Sequence, residues 1–317
     1  MTNPPKLLCV SLNPAIDRRI IVGHLRVGEV NRARSVDPAA GGKAAHVAFA
    51  ATALGAEVRW LAFLGGPEGE GCRAGIEARG VTPVVVPIAA RTRTNLELID
   101  EAAGKITEVL EPGPMIHEKE LMDFARYFMV ELRSAPTVIL SGSLPKNVPN
   151  SFYAELIKTA RDAGCRVFLD ASGEPLTQAL SASPDVIKPN REEAGAILQR
   201  KIGPVEDAVA AARELRARGP KTVILSLGAE GAVVVDGEHA LLGVPPHVDA
   251  ISTVGSGDSF LAGWAMGAAF RDLSVEETLR LAIACGTANC LAESPGVVSR
   301  KLVKDLQERV KIVDLTQ

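Results

Sequence analysis

Residues 138–169 read VILSGSLPKNVPNSFYAELIKTARDAGCRVFL. Val138 to Leu140 is a short apolar run, Phe152 to Ala163 carries a helical pattern, and Arg166 to Leu169 is apolar again. A strand, a helix and a strand in this order predict parallel neighbours joined by a helical crossover. The same alternation recurs along the chain. Strand-like runs lie at Leu7 to Leu12, Val58 to Leu64 and Thr222 to Ser226; helix-like segments lie at Ala44 to Leu54, Glu118 to Leu132 and Glu206 to Ala217. The expected fold class is therefore α/β, with a doubly wound, mostly parallel sheet and helices on both faces. Strands that are apolar throughout, rather than alternating, fit a sheet buried on both sides.

Two stretches break the rhythm, at about 18–36 and 92–110. Both are extended and more polar, and the second reads as a hairpin in which Asn95 to Asp100 and Lys105 to Leu110 flank Glu101–Gly104. They are expected to form one small β-sheet inserted discontinuously in a single domain spanning 1–317. No fixed-period repeat, low-complexity tract or linker interrupts that domain.

Composition excludes several classes. The 317 residues are 47% hydrophobic and 23% charged, as in ordinary globular proteins, and long enough for a large core. A net charge of -3 gives no sign of a nucleic-acid partner. Residues 1–6 lack a basic region followed by a long apolar stretch, and the apolar run from Phe260 to Phe270 stops at Arg271-Asp272, short of a membrane span. Five cysteines without CxxC spacing fit a reducing compartment, with Cys9 and Cys165 read as buried thiols in strand-like runs. The expected location is the cytoplasm, with no membrane contact.

Chemistry concentrates in Ser252-Thr253-Val254-Gly255-Ser256-Gly257-Asp258-Ser259, which runs into a helix-like segment. Two glycines one residue apart let backbone N–H groups point at one anion, and the helix N-terminus adds its own orphan donors. Phe260, Trp264 and Ala268 share one face of that helix, and Gly263 and Gly267 permit close packing. A carboxylate, Asp258, inside an anion site suits a base beside a phosphoryl group bound for an alcohol.

Other motifs are weaker alone. Gly69-Glu-Gly-Cys-Arg-Ala74 fits a loose dinucleotide pattern but lacks the later ribose-binding acid, so a tight turn is expected. No P-loop occurs, and the five histidines form no zinc pattern. Gly41-Gly-Lys43 opens a helix and reads either as a cap or as a ligand-approach element with a point charge. Arg91-Thr-Arg93-Thr-Asn95 offers either solvated strand arginines or an anion fork. Ser226-Leu-Gly228-Ala-Glu-Gly231 either cradles a nucleotide phosphate or turns a hairpin into Ala232 to Val235. Lys188-Pro-Asn190-Arg-Glu-Glu193 has capping-box spacing, or supplies polar groups for hydrated Mg²⁺.

In this order, together with Leu12-Asn-Pro-Ala-Ile-Asp17 and Ser141-Gly-Ser-Leu-Pro145, these motifs closely resemble the PfkB branch of the ribokinase-like carbohydrate kinases. Gly28-Glu-Val-Asn-Arg32 and the Arg93 motif are similar to 1-phosphofructokinases and tagatose-6-phosphate kinases. Glu111-Pro-Gly-Pro114 and Val254-Gly-Ser-Gly257 lean toward the latter. The resemblance implies a Rossmann-like domain with a β-sheet lid, ATP and Mg²⁺ as cofactors, a sugar phosphate as substrate, and a homodimer through the lid. It implies Asp258 as the base, with Gly255, Ser256 and Gly257 as backbone donors to the transferred group. Asp17, Gly41, Gly42, His46, Asn95 and Ser141 would line the sugar pocket, and Lys43 and Arg93 would hold the phosphate already on the sugar. Lys188, Asn190, Ser226, Gly228, Gly231 and Thr253 would serve the nucleotide, and Asn190 and Glu193 would reach Mg²⁺ through water.

One position departs from the family. After Gly-Gly-Lys the usual continuation is Gly-x-Asn-Val, whereas this chain has Ala44-Ala45-His46-Val47. Ala44 is harmless at a helical position. His46 is larger than Asn, differently directed and, unlike Asn, is expected to titrate near neutrality, so the departure bears on the sugar rather than on the phosphoryl-transfer apparatus. The leading expectation is ATP-dependent phosphorylation of a ketohexose monophosphate, fructose 1-phosphate or tagatose 6-phosphate. The alternatives are a kinase of an unphosphorylated sugar or nucleoside, and a catalytically silent sugar-phosphate-binding regulator.

Overall fold

The structure is a computed structural model and describes residues 3–269 and 273–316. The expected helix end at Phe270, the Arg271-Asp272 stop and the first two residues lie outside the described residues.

The chain opens with strands β1 (Lys6–Ser11), β2 (Ala15–Val22) and β3 (Ala33–Gly41), then helix α1 (Lys43–Ala53). Next come β4 (Glu57–Leu64), α2 (Gly66–Ala78), β5 (Thr82–Pro87), β6 (Arg93–Asp100) and β7 (Lys105–Leu110). The middle is α3 (Glu118–Glu131), β8 (Thr137–Ser141), α4 (Phe152–Asp162), β9 (Arg166–Asp170), α5 (Gly173–Leu180), β10 (Val186–Ile187), α6 (Arg191–Leu198), α7 (Val205–Arg216) and β11 (Thr222–Ser226). The chain closes with β12 (Ala232–Asp236), β13 (His239–Val244), α8 (Ser256–Ala269), α9 (Val275–Cys290), α10 (Arg300–Gln307) and β14 (Lys311–Asp314).

Ten strands form the main sheet in the order β14-β13-β12-β11-β10-β9-β8-β1-β4-β5. From β11 to β5 every pair is parallel, and β12, β13 and β14 add an antiparallel edge. Successive residues of β1 face opposite cores: Leu8 and Val10 pack with Phe124, Phe128 and Tyr153 of α3 and α4, while Leu7 and Cys9 pack with α1, α8 and α9. Both faces are thus covered, which is why these strands read as continuously apolar. Close approach of α8 to α9 needs the two glycines: a Cβ on Gly263 would lie 2.8 Å from Cys285 Sγ, and one on Gly267 would lie 2.8 Å from the Thr278 side chain.

The smaller sheet runs β3-β2-β6-β7, with β2 and β6 parallel and the outer pairs antiparallel. Its strands begin earlier and end later than the polar stretches suggest, since Ala15 and Gly41 already pair within it. Asp17 and Asn95 stand side by side in register.

Two local readings are corrected. Residues Gly69 to Ala74 form no turn but the interior of α2, which Pro67 and Glu68 start well. The glycines there serve packing: a Cβ on Gly69 would lie 3.0 Å from Thr92 Oγ1, and one on Gly75 would lie 2.8 Å from Ala40 Cβ. Cys165 is buried as expected but precedes β9 rather than lying in it, its thiol set against the Ala135 carbonyl at 3.3 Å.

Candidate active site

In a doubly wound sheet, ligands bind beyond the carboxyl ends of the strands, where the strand order reverses. That reversal falls at β1, which continues to β4 on one side and has β8 on the other. Asn13 follows β1, Ser141 ends β8, Asp170 ends β9, Lys188 and Asn190 follow β10, and Ser226 ends β11. The first turns of α1 and α8 and the inner face of the small sheet meet at this edge through the contacts below.

The glycine turn before α8 is held from behind. Gly255 has φ of 77°, a left-handed conformation, and a Cβ there would fall 2.5 Å from Pro295 Cβ. Buried Asn289 of α9 clamps the turn: its Nδ2 donates to the Val254 carbonyl at 2.7 Å, and its Oδ1 accepts from the Ser259 hydroxyl at 3.0 Å and the Gly296 N–H at 2.8 Å. Ser259 N–H bonds the Gly255 carbonyl and starts the helix, so the amides before it have no helical acceptor. Ser256 N–H turns back to the Thr253 carbonyl at 3.2 Å. A Cβ on Gly257 would lie 3.3 Å from Lys188 Nζ, which places an ammonium against the turn.

Behind that ammonium is a charge centre built on Asp170, which is 1% exposed. One carboxylate oxygen meets Lys43 at 3.2 Å and the other meets Lys188 at 3.1 Å. Burial works to raise the Asp170 pKa, but the two lysines outweigh it and hold the carboxyl below its usual value. The Asp170 charge in turn raises the Lys43 pKa well beyond the ordinary lysine range, against burial and with help from Asp258 and Glu193.

On the acceptor side, Asn95 Nδ2 donates to Asp17 Oδ1 at 2.8 Å. Gly41 makes room for that carboxylate, since a Cβ there would lie 1.8 Å from Asp17 Oδ2. His46, one turn into α1, stands between two acids: Nδ1 is 3.0 Å from Asp258 Oδ2 and Nε2 is 3.5 Å from Asp17 Oδ2. Burial alone would lower the His46 pKa; hydrogen bonds and charge from both carboxylates override it and push it up to about 9. For Asp17, burial pulls upward, but His46 and Asn95 leave the carboxyl below its usual value.

Arg93 lies where the small sheet meets the end of β1. Its Nη1 donates to the Glu111 carbonyl at 3.1 Å and its Nη2 to the Asn13 carbonyl at 2.9 Å. Its Nε is buried with no partner among the described residues, as are Asn13 Oδ1, Asn95 Oδ1 and Ser141 Oγ. Burial lowers the Arg93 pKa, a cost that a bound anion would offset. Asn13, Asn95 and Ser141 thus bring free polar valences to the same sheet edge as Arg93.

Residues 6–301 match the pfkB family carbohydrate kinases. The chain belongs to this family. The kinase is 38% identical to the 1-phosphofructokinase of Xanthomonas campestris over 281 residues, which covers 87% of this chain and 88% of that one. It is 29% identical to the tagatose-6-phosphate kinase of Staphylococcus epidermidis over 98% of this chain and 100% of that one. Among solved structures, phosphofructokinase-2 from Escherichia coli in complex with substrates and products superposes with a TM-score of 0.90 at 29% identity, covering 97% of this kinase and 99% of that chain.

Most of the residues picked from sequence converge. Asp17, Asn95, Gly41, His46 and Asp258 form one contact chain, and Lys43 joins Lys188 through Asp170. The ion pairs through Asp170 tie Lys43 to the lysine at the glycine turn. Asn190 and Glu193 make the reciprocal capping box of α6, Glu193 N–H donating to Asn190 Oδ1 at 2.8 Å and Asn190 N–H to Glu193 Oε2 at 2.9 Å. Ser226-Leu-Gly228 turns β11 into β12, and Gly231 is pressed into the hairpin, where a Cβ would lie 1.9 Å from the Gly243 carbonyl oxygen. Asp170, Asn289 and Asn13 were not singled out. A carboxylate ending an apolar strand (Val167 to Asp170) was a readable signal for the first; nothing local marked Asn289, whose role depends on a turn 35 residues away.

Proposed function

We propose that this kinase transfers the γ-phosphoryl group of ATP to a hydroxyl of a ketohexose monophosphate, fructose 1-phosphate or tagatose 6-phosphate, giving a bisphosphate. Arg93 carries the proposal that the acceptor is already phosphorylated. It is a half-buried guanidinium that makes no ion pair among the described residues, has a buried Nε without a partner there, and still has donors for a bidentate phosphate contact. The names of the similar enzymes agree with such a substrate.

In this reading Asp17, Asn95 and Gly41 seat the sugar, with Gly42, His46 and Ser141 around it, and Asp258 removes the proton of the attacking hydroxyl. Amides of Gly255 and Gly257 face the transferred group, with Ser256 and Thr253 shaping the turn. Lys188 and Lys43, aimed by Asp170, neutralise charge as it moves from the γ-phosphoryl to the β-phosphate oxygen. Lys43 is thereby assigned to the phosphoryl in transit rather than to the sugar's own phosphate. Catalysis is then mainly positioning and electrostatics. Asn190 and Glu193, each with one polar atom left outside the capping box, would hold waters of a Mg²⁺ ion that neutralises the nucleotide phosphates. That donor set suits a hydrated metal held chiefly by phosphate. Ser226, Gly228 and Gly231 would flank the nucleotide.

We place the small sheet as the lid and as the seat of a homodimer. By register, Ile20, Val36, Leu96, Leu98 and Val109 share the face opposite Asp17, and Val36 and Val109 are exposed there. Light scattering on wild type and a Leu98→Glu variant tests this; a monomer in both refutes it. No helix of the described residues is long and apolar enough to cross a membrane, and all five cysteines are free, which agrees with a cytoplasmic location.

A coupled ADP-release assay over free sugars and sugar phosphates tests the substrate class. Turnover on free sugars alone would reject it. Asp258→Asn is expected to lower kcat by about 10²- to 10⁴-fold while sugar-phosphate binding survives.

A further inference from the structure

The contact chain across the acceptor pocket contains one residue whose type departs from the family pattern, and it touches both acids of the site. His46 is 6% exposed and lies on the first turns of α1, with Asp258 of α8 on its Nδ1 and Asp17 of β2 on its Nε2. Arg19 and Glu97 form an ion pair at 3.4 Å on the same face of the small sheet, and with Arg79, after α2, they line a small cavity beside the imidazole. Lys43 precedes it on its own helix and is committed to Asp170.

We infer that His46 is a positioning residue for phosphoryl transfer: as an imidazolium it donates to Asp258 through Nδ1, faces Asp17 with Nε2 as an ion pair, and so fixes Asp258 with one oxygen turned to the acceptor hydroxyl. The inference rests on Asp258 being the base, as proposed above. Two buried carboxylates set against one imidazole repel each other, and a neutral side chain between them would leave that repulsion uncompensated. A cation set between the two offsets that repulsion. The neutral amide of the usual Asn supplies no such charge.

The geometry also selects atoms. His46 occupies Asp258 Oδ2, leaving Oδ1 to receive the proton. In the step, the acceptor O–H bond breaks, its proton goes to Asp258 Oδ1, and a new O–P bond forms. The bond from the γ-phosphorus to the bridging oxygen breaks with its electron pair leaving on ADP, and His46 keeps both of its protons throughout.

The consequence is a pH limb. Once His46 loses a proton, near pH 9, one carboxylate faces a lone pair instead of a donor and the pocket loses the charge that offsets its two acids, so the base is held less firmly. The kcat profile of the wild type on its best sugar phosphate is expected to fall up to about tenfold per pH unit above that point. His46→Asn and His46→Gln, which cannot titrate, are expected to lose this limb while turning over more slowly at pH 7.5. A histidine that merely filled space would not move the limb. In parallel, ¹⁵N-histidine NMR of the ligand-free protein is expected to show one imidazole titrating near 9, shifted down in Asp258→Asn. The same alkaline limb in wild type and both variants, or five histidines all titrating near 6.5, refutes the inference alone. Absence of transfer to any sugar phosphate refutes the proposed function, and the inference with it.

Discussion

Replacing Asp170 by Asn keeps the shape of the side chain and removes the charge that Lys43 and Lys188 share. The two lysines differ in what they can do next. Lys43 is 44% exposed along its side chain and can move its ammonium into water, whereas Lys188 is 7% exposed and cannot. The dominant loss is thus one uncompensated buried cation, for which removal of a partner costs about 3–5 kcal/mol. Unfolding entropy of about 2.1 cal/mol/K per residue makes roughly 0.7 kcal/mol/K for a chain of this length, so Tm should drop by about 4–7 °C. In the proposed site ATP would bring phosphates to the same ammonium, so the variant should regain more Tm than the wild type when MgATP is added. Differential scanning fluorimetry with and without nucleotide reads both quantities, beside kcat from ADP release. An unchanged Tm in the ligand-free protein would show that Lys188 does not depend on Asp170, and equal gains with ATP would detach the pair from the nucleotide phosphates. Acid should imitate the substitution. The Asp170 pKa is depressed in the folded state, so its stabilisation is present above the normal carboxylate range and is lost as pH falls through the folded value.

Other outcomes follow from single contacts. Arg93→Lys keeps the charge but loses the fork, and should raise KM for sugar phosphate about 10- to 100-fold with a smaller change in kcat, measured by ADP release. Asn289→Ala leaves the Gly296 N–H and Val254 carbonyl unpaired, each worth about 1–3 kcal/mol, and should lower both Tm and kcat. Gly41→Ala thrusts a methyl against Asp17 and should weaken sugar binding in calorimetry while leaving ATP binding intact. His46 has a raised folded pKa, so its stabilisation is full below its unfolded value of 6.5 and fades as pH rises through about 9; the Tm gap between wild type and His46→Asn should close over that window.

The body of the fold was readable because its determinants are local. Runs such as Leu7 to Leu12 are apolar throughout, and helices such as α4 start and stop within a residue of their expected bounds. Strand β10 escaped because it has only Val186 and Ile187, too few for any periodicity, and exists because β9 and β11 both pair with it. Gly69 to Ala74 misled for a different reason. Glycine there reflects neighbours packed against a helix, and that information resides in Thr92 and Leu64 rather than in the stretch itself. The candidate site divides in the same way. The glycine turn and Asp258 announce themselves by spacing, but the partner of Lys43 could not be read, since a lysine after two glycines serves equally well for any anion within reach. Only the strand order, which sets the end of β9 beside that of β8 and within reach of the start of α1, selects Asp170.

One connection in the fold is unusually short. Strand β3 of the small sheet ends at Gly41, Gly42 sits at φ 92°, and α1 begins at Lys43. Gly42 is the sole joint between a strand of the sheet that carries Asp17 and the helix that carries Lys43 and His46. Any rotation of that sheet would reach the helix through this one left-handed residue, so the setting of Asp17 and the settings of Lys43 and His46 share a single mechanical joint.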